Sequence, residues 1–277
     1  FYRDKGVDLR TQPLEIALCA QHNNGGLGVD CWWQTNVEGF FAVGEVSATH
    51  GVYRPGGSAL NAGQVGGTRA ARYIAARRAG DAADTDAFLR IAGSRVEETL
   101  AMAQTLLGNA AQAGTNGAVG VQTLWNEAAA RMSRVGAAIR TAEGIREGLE
   151  EVRDRLAAFP RGVRADGPGR LSAAFRLRDM LICQEVYLAA MENYLAHGGG
   201  SRGSALYTDP AGTKPYAALP DRFTFTLEDD DREDEVQEVT RTAEGNVFRW
   251  REARPIPEDD GFFENVWRTY RENGNVT

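Results

Sequence analysis

The sequence predicts a mixed α+β chain with a helical bundle in its middle. Three observations indicate this: short β-rich runs separated by glycines come first, long stretches with helical apolar spacing follow, and the chain after residue 200 is rich in loop-forming residues. The predicted division is therefore residues 1–80, 84–200 and 201–277. With 277 residues and 43% hydrophobic content, the chain is long enough to bury a core.

The first block combines short strands with one helix. The runs "PLEIALCA" and "GFFAVGEV" are apolar and bounded by turn residues, which predicts buried strands. The second strand ends at Gly44 and Glu45, and in sheet-based nucleotide sites the ligand lies beyond the carboxyl end of a strand. A carboxylate there can accept hydrogen bonds from sugar-like hydroxyls. A predicted helix then begins near Ser58 and continues to "AARRAG".

The start of this helix is a candidate binding element. Its first backbone N–H groups lack intrahelical acceptors and carry partial positive charge, which suits a phosphate, a carboxylate or the anionic edge of a reduced flavin. Glycine inside a helix is less favourable than alanine by about 1 kcal/mol, so repeated small residues on one face predict a close neighbour, either backbone or cofactor. Those residues are Gly63, Gly67, Ala71 and Ala75.

The second block shows apolar residues at three- and four-residue spacing, which predicts packed helices. One stripe comprises Val121, Trp125, Ala128, Met132, Val135 and Ile139, and the next comprises Ile145, Leu149, Val152, Leu156 and Phe159. The segment "FPRGVRADGPGR" then interrupts the pattern with proline and glycine. A last long helix follows, and the glycines at 198–200 predict its end.

The third block is loop-rich and holds two predicted elements. The segment "VQEVTRTAEGNVFRWRE" predicts a β-hairpin with its turn near Glu244 to Asn246, and "FFENVWRTYREN" predicts a short amphipathic helix. The acidic run "LEDDDREDEV" is typical of a solvated segment, with docking of a basic partner as the alternative.

Composition excludes several classes of function. A net charge of −7 disfavours nonspecific binding to nucleic acid or to an anionic membrane surface. No stretch approaches the roughly 18 apolar residues needed for a membrane span. The N-terminus lacks a signal-peptide pattern and an initiator methionine, so we expect the chain to be part of a longer protein.

Several conspicuous residues have a structural interpretation. The cysteines never form a CxxC pair, so we expect three buried, reduced thiols and neither a disulfide framework nor a metal site. We expect His197 to stabilise a helix end, and Trp32 and Trp33 to pack in the core. The cysteines are Cys19, Cys31 and Cys183.

Three segments together resemble one flavoprotein family. They are "GVDLRTQPLEIALCAQHNNGGLGVD", "WWQTNVEGFFAVGEVSATHGVYRPGGSALNAGQ" and "FRLRDMLICQEVYLAAMENYLAHGGGSRG". They are similar to the C-terminal half of the flavoprotein subunits of fumarate reductase, succinate dehydrogenase and L-aspartate oxidase. The resemblance implies that residues 1–80 are the returning part of an FAD-binding domain and that 84–200 are the helical domain. It also implies that the GxGxxG half and the capping domain lie upstream.

The resemblance implies a cofactor role for five residues. Glu45, preceded by Gly44, matches the family's acid that contacts FAD. Ser58, Ala59 and Leu60 match the short run whose backbone faces the flavin ring.

The resemblance also implies residues that bind the substrate. Arg54 resembles the arginine that holds the substrate carboxylate over the flavin, and a guanidinium suits this because it binds a carboxylate in a bidentate manner. His22 is a candidate for the substrate histidine, although a gapless match on the following glycines places Gln21 there. The loop from Glu45 to Arg54 looks shorter than in succinate dehydrogenase, which makes His50 a second candidate. The family's proton-donating arginine belongs upstream, so no catalytic residue is assigned here.

The implied activity is hydride transfer between FAD and a carbon–carbon bond next to a carboxylate, with little activity expected from this chain alone. The implied partners are a small carboxylic acid and an electron-transfer subunit. The implied location is the cytoplasm, with membrane association through that subunit as an alternative. Two alternatives stay open. One is a non-catalytic module that docks an electron-transfer partner, and the other is a flavin dehydrogenase acting on a ketone or steroid ring.

Overall fold

The computed structural model describes residues 1–14, 25–50, 54, 57–80, 84–112, 114, 117–202, 205–228, 234–253, 261, 265, 268–269 and 271–272. The helices within these residues are α1 Ser58–Arg77, α2 Thr85–Ala111, α3 Val121–Val135, α4 Ala142–Ala158 and α5 Leu171–Ala196. The strands are β1 Val119–Gly120, β2 Ile139–Arg140, β3 Val163–Arg164, β4 Leu206–Thr213, β5 Glu235–Arg241 and β6 Asn246–Glu252. The predicted mixed α+β class is confirmed.

The helical core forms where the apolar stripes predicted it. Helices α3, α4 and α5 pack together, and their stripes supply the most deeply buried side chains because three- and four-residue spacing places them on one helix face. The C-terminal half of α2 adds Leu106 to this core. The stripe prediction is wrong at Ile139, which lies in β2 after α3 ends at Val135. Members of the core include Leu124, Ala128, Ile145, Leu149, Val152, Leu177, Leu181 and Leu188.

The strands form three separate two-stranded sheets. β1 pairs with β3 and β2 pairs with β4, both in parallel, so these short pairs tie together the ends of the helices. β5 and β6 form the predicted antiparallel hairpin, with Arg241 opposite Asn246 at its turn.

This hairpin is fixed to the end of α5 by polar and aromatic contacts. Asn193 Oδ1 accepts hydrogen bonds from Gln237 Nε2 at 2.9 Å and from Trp250 Nε1 at 3.1 Å. His197 follows α5 as its C-cap residue, and its ring stacks on Trp250 with centroids 4.0 Å apart. Its Nε2 lies 3.2 Å from Glu235 Oε2. The contacts agree with a structural role for His197.

The first block departs from its predicted strands. Residues 39–45 form no continuous strand: Phe41 makes one bridge to Gln34, and a 3₁₀ turn begins at Gly44. Phe40 is exposed, and Ala42 is the buried residue of this run. Gly39 and Gly44 both have positive φ, so the backbone turns where a strand would continue straight. The other predicted strand, "PLEIALCA", lies mostly outside the described residues.

Three further predictions have mixed outcomes. Cys31 and Cys183 are exposed, so the expectation of buried thiols is wrong for both, and Cys19 lies outside the described residues. Trp32 and Trp33 are half-buried and pack on α1 rather than in the main core. The predicted C-terminal helix lies largely outside the described residues. None of the helices in the described part of the chain is long and apolar enough to cross a membrane.

Candidate functional site

A short 3₁₀ turn, Gly44–Val46, presents the predicted cofactor carboxylate. Val43 is extended, and Gly44 then adopts φ 75, a left-handed conformation that favours glycine. Ser47 N donates a hydrogen bond to Gly44 O at 3.2 Å and closes the turn. Glu45 lies at the centre of the turn with an exposed side chain.

The turn is held on one side by the segment that begins at Gly26. Leu27 N donates to Val46 O at 2.8 Å, and Ala48 N donates to Leu27 O at 3.0 Å, which makes a parallel bridge. A Cβ on Gly26 would overlap Val46 O, so only glycine lets the two backbones approach this closely.

Helix α1 holds the turn on the other side. A Cβ on Gly63 would lie 3.5 Å from Gly44 Cα, so the helix passes directly beside the turn. Gly63 therefore has the predicted close neighbour, which is backbone within this chain. Gly67 has no protein atom within 4 Å of its Cβ position among the described residues, so for Gly67 the prediction of a backbone or cofactor neighbour stays a prediction. The second close approach occurs at Gly66, against Trp33.

The start of α1 provides the predicted N–H donors. Its N-cap is Gly57 at φ 83, which has no side chain to accept hydrogen bonds from the first turn, and no acidic residue occupies that turn. Ser58 and Ala59 are half-buried and Leu60 is 78% exposed. At 1.5 Å per residue, Gly63 lies about 7.5 Å along the helix from Ser58. The structure thus brings the Gly44–Val46 turn and the start of α1 close together.

The predicted substrate residues are described only in part. His50 is buried, 5% exposed, and Arg54 is half-buried. Both lie on the connection between the Gly44–Val46 turn and α1. His22 and Gln21 lie outside the described residues.

Sequence reasoning missed Ser47, which is fully buried beside Glu45. Its Oγ donates to Gly44 O at 2.8 Å and lies 2.9 Å from Thr49 Oγ1. Serine is common in loops for many reasons, and only the turn geometry singles out this one.

A cleft of about 600 Å³ lies elsewhere, between α4, α5 and β6. The two arginines that line it are both in ion pairs: Arg146 Nε lies 3.9 Å from Glu192 Oε1, which also lines the cleft, and Arg153 Nε lies 3.2 Å from Glu185 Oε1. None of the predicted site residues that the structure describes lines it. In the part of the chain that the structure describes, no group of three or more His, Cys, Asp and Glu side chains is arranged to hold a metal ion.

Comparisons with known proteins confirm the predicted resemblance. The chain is 49% identical over 70 residues to a fumarate reductase (CoM/CoB) subunit of Methanothermobacter marburgensis, which is 25% of this chain and 13% of that protein. It is 29% identical over 179 residues to an uncharacterized FAD-dependent oxidoreductase of Methanocaldococcus jannaschii, 64% of this chain and 30% of that protein. It is 38% identical over 79 residues to L-aspartate oxidase of Mycobacterium leprae, 28% of this chain and 15% of that protein. No protein-family model matches the chain.

The fold is shared with a chain of known structure. FrdA of E. coli quinol fumarate reductase, in a mutant form, superposes with a TM-score of 0.65 over 92% of this chain at 19% sequence identity. The match covers 41% of the FrdA chain. This chain therefore spans less than half the length of each protein named here.

Proposed function

We propose that the chain is part of an FAD-dependent oxidoreductase of the fumarate reductase and L-aspartate oxidase type, and that its first block forms one wall of the FAD site. One observation carries the proposal: the Gly44–Val46 turn lies against α1 near a helix start whose N-cap residue is a glycine. The names of the similar proteins support it. Because those proteins are longer, the isolated 277-residue chain is expected to have little activity.

The residues present fit a flavin dinucleotide. Gly44 has no side chain and a left-handed backbone, which leaves room for a flat ligand beside the turn. The exposed Glu45 carboxylate accepts hydrogen bonds from ribose or ribityl hydroxyls. The backbone N–H groups of Ser58, Ala59 and Leu60 donate toward electronegative atoms of the ring, where the helix dipole favours negative charge.

The substrate in this proposal is a small carboxylic acid. Bound FAD would supply hydride transfer to or from the carbon next to the carboxylate. Arg54 binds and orients that carboxylate through two parallel N–H donors. His50, and His22 or Gln21, hold the other end of the acid, and the burial of His50 limits access of water to that end.

The first experiment asks whether the full-length protein retains a flavin. We expect the natively purified protein to show flavin absorbance and to release FAD on denaturation. A correctly folded full-length protein that binds no added FAD would contradict the proposal. The isolated 277-residue chain is the comparison, because it is expected to bind FAD far more weakly.

The second experiment tests the substrate class through Arg54→Ala. Loss of a charged hydrogen-bonding partner should reduce kcat/KM for acids by about 30- to 800-fold, corresponding to about 2 to 4 kcal/mol. Turnover of neutral ketones, the substrates of the alternative dehydrogenase, should change little. Arg249→Ala, at an exposed position of β6, is the matched control and should leave both unchanged. Equal decreases in kcat/KM for acids and ketones would favour the alternative dehydrogenase.

A docking role is a second candidate, favoured by the first turns of α2. Phe88, Leu89 and Ile91 are 56%, 55% and 78% exposed, an unusual number of exposed apolar side chains for neighbouring positions. We propose that a partner subunit covers this face, since one similar protein is itself named as a subunit. Hydroxyl-radical labelling of Phe88 should then be slower in the assembled enzyme than in the protein without its partner, whereas labelling of Tyr216, 75% exposed, should change little. A Phe88 labelling rate that is the same in both would exclude this contact.

A further inference from the structure

The buried hydroxyl of Ser47 is bonded to the turn that carries Glu45. Its side chain is 0% exposed, although serine is small and polar. Ser47 Oγ donates to Gly44 O at 2.8 Å, and Ser47 N donates to the same oxygen at 3.2 Å. Both donors of one residue therefore close the turn across Glu45.

A second hydroxyl completes this arrangement. Ser47 Oγ lies 2.9 Å from Thr49 Oγ1. A hydroxyl has one proton, and that of Ser47 is directed to Gly44 O, so Thr49 is the donor of this hydrogen bond. The Ser47 oxygen thereby has both a donor and an acceptor, which fixes its rotamer.

The turn needs such an anchor because Gly44 is intrinsically permissive. Glycine populates left- and right-handed conformations with similar ease, so Gly44 by itself does not hold φ 75. The bond from Leu27 N to Val46 O fixes the far end of the turn, and the contact with Gly63 only limits its approach to α1. The Ser47 hydroxyl holds the other end of the turn, at Gly44, immediately before Glu45.

We propose that Ser47 is a positioning residue that holds the Glu45 carboxylate in its ligand-binding orientation, an inference that rests on the proposed FAD site. Ser47 is fully buried, whereas Glu45 is exposed. Ser47 therefore acts on the cofactor through the backbone between Gly44 and Glu45 and does not touch the cofactor itself.

The test is a double-mutant cycle on FAD affinity in the full-length protein. Loss of one neutral hydrogen bond predicts that Ser47→Ala raises the Kd for FAD about 3- to 10-fold. Glu45→Ala removes the carboxylate and should raise the Kd about 10- to 100-fold. If Ser47 acts through Glu45, Ser47→Ala has no further effect in the Glu45→Ala background. Additive effects in the double variant would overturn the proposal.

Two further variants separate positioning from general stability. Thr35 is also buried, and its Oγ1 accepts a hydrogen bond from Val37 N at 3.1 Å in a different turn. Thr35→Val should lower the unfolding midpoint without changing the Kd for FAD. Thr49→Val, at an exposed position, keeps the bond to Gly44 O and should raise the Kd only about twofold. It also serves as the test variant if Ser47→Ala does not fold.

The outcomes distinguish this inference from the proposed function. A wild-type full-length protein that does not bind FAD overturns both. A wild-type protein that binds FAD, with Ser47→Ala and Thr49→Val binding it equally well, overturns the positioning role alone. Ser47→Thr retains the hydroxyl and should restore wild-type affinity wherever it folds, and failure of a folded Ser47→Thr to do so counts against the hydroxyl as the cause.

Discussion

Gly66 of α1 lies against the indole of Trp33, so closely that a Cβ on Gly66 would be 2.5 Å from Trp33 Nε1. Trp33 has φ 63, a left-handed conformation that bulky residues seldom adopt. Its indole N–H is buried and has no hydrogen-bond partner in the described part of the chain. Close packing of the loop on α1 is therefore maintained despite backbone strain and an unmatched donor.

The first prediction compares two adjacent glycines of α1. Gly66→Ala should destabilise the protein by about 1 to 3 kcal/mol, because the new methyl group overlaps the Trp33 ring. Gly67→Ala is the matched control: its Cβ position has no neighbour within 4 Å among the described residues, so better helix propensity should stabilise by up to about 1 kcal/mol. Urea unfolding of both variants measures the difference. Equal stabilities would mean that the Gly66 contact does not constrain α1.

The small-residue spacing of α1 predicted a close neighbour, which the structure shows at Gly63, and did not predict the contact at Gly66. A four-residue period selected Gly67, whereas the neighbours meet Gly63 and Gly66. The sequence does not show which side of a helix the preceding loop will cross, because that depends on the left-handed turns at Gly44 and Trp33. Non-glycine residues rarely adopt that conformation, so a tryptophan at position 33 does not predict a left-handed turn.

The helical core was predictable because its residues repeat at helical spacing, and Leu149 and Leu188 are buried as that spacing requires. The loop around Glu45 was not, since its conformation depends on contacts between residues distant in sequence, such as Leu27 with Val46. The resemblance implied Glu45 and the start of α1 as candidate site residues. It did not identify Ser47, whose burial is a property of the folded turn.

The second prediction concerns the reactivity of Cys183 on α5. Although the residue is exposed, the pKa of its thiol is raised, first by partial desolvation of the sulfur and then by the charge of Asp179 one turn earlier. At about pH 8 we therefore expect slower alkylation by iodoacetamide than for a cysteine in a short peptide, because the thiolate is the reactive form. Asp179→Asn should accelerate alkylation but not to the peptide rate, since burial remains. Glu192→Gln, on the same helix, is the control. A wild-type rate equal to that of the peptide would contradict the prediction.

The third prediction concerns the pH dependence of stability at Asp209. Its pKa is lowered by the hydrogen bond from Thr226 Oγ1 to Oδ2, 2.6 Å, and then by that from Ala211 N to Oδ1, 2.9 Å. A lowered folded-state pKa contributes stability above the unfolded value of about 3.9, and that contribution is lost as the pH falls through the folded-state pKa. At neutral pH the free energy of unfolding of the wild-type protein should therefore be larger than that of Asp209→Asn. The difference between the two should decrease as the pH is lowered.

Thr226→Val is the matched variant for this effect, because it removes the stronger donor and keeps the carboxylate. It should show a smaller loss of stability on acidification than the wild type. Unfolding midpoints measured in urea from about pH 7 to about pH 3 give both comparisons. A constant gap between wild type and Asp209→Asn over this range would exclude a contribution from this carboxylate.

The fourth prediction concerns Arg131, a buried cation in the helical core. Its side chain is 5% exposed, its Nε lies 3.1 Å from Glu151 Oε2, and its Nη1 donates to Gln184 Oε1 at 2.9 Å. Arg131→Met leaves the buried Gln184 oxygen without this donor and should destabilise by about 1 to 3 kcal/mol. Arg134, 56% exposed and 2.6 Å from Glu151 Oε1, is the control, and Arg134→Met should cost less than about 1 kcal/mol.

A further variant identifies the unmatched Gln184 oxygen as the cause of this loss. Gln184 Nε2 also donates to Ala128 O at 2.8 Å. Gln184→Met alone therefore removes a hydrogen-bond partner from Ala128 O and from an N–H of the Arg131 guanidinium. When Arg131→Met and Gln184→Met are combined, neither member of the Arg131–Gln184 bond is left unmatched. The double variant should therefore be more stable than the sum of the two single losses predicts. Chemical unfolding of the four proteins measures this coupling. If the losses simply add, the buried bond between Arg131 and Gln184 does not couple α3 to α5.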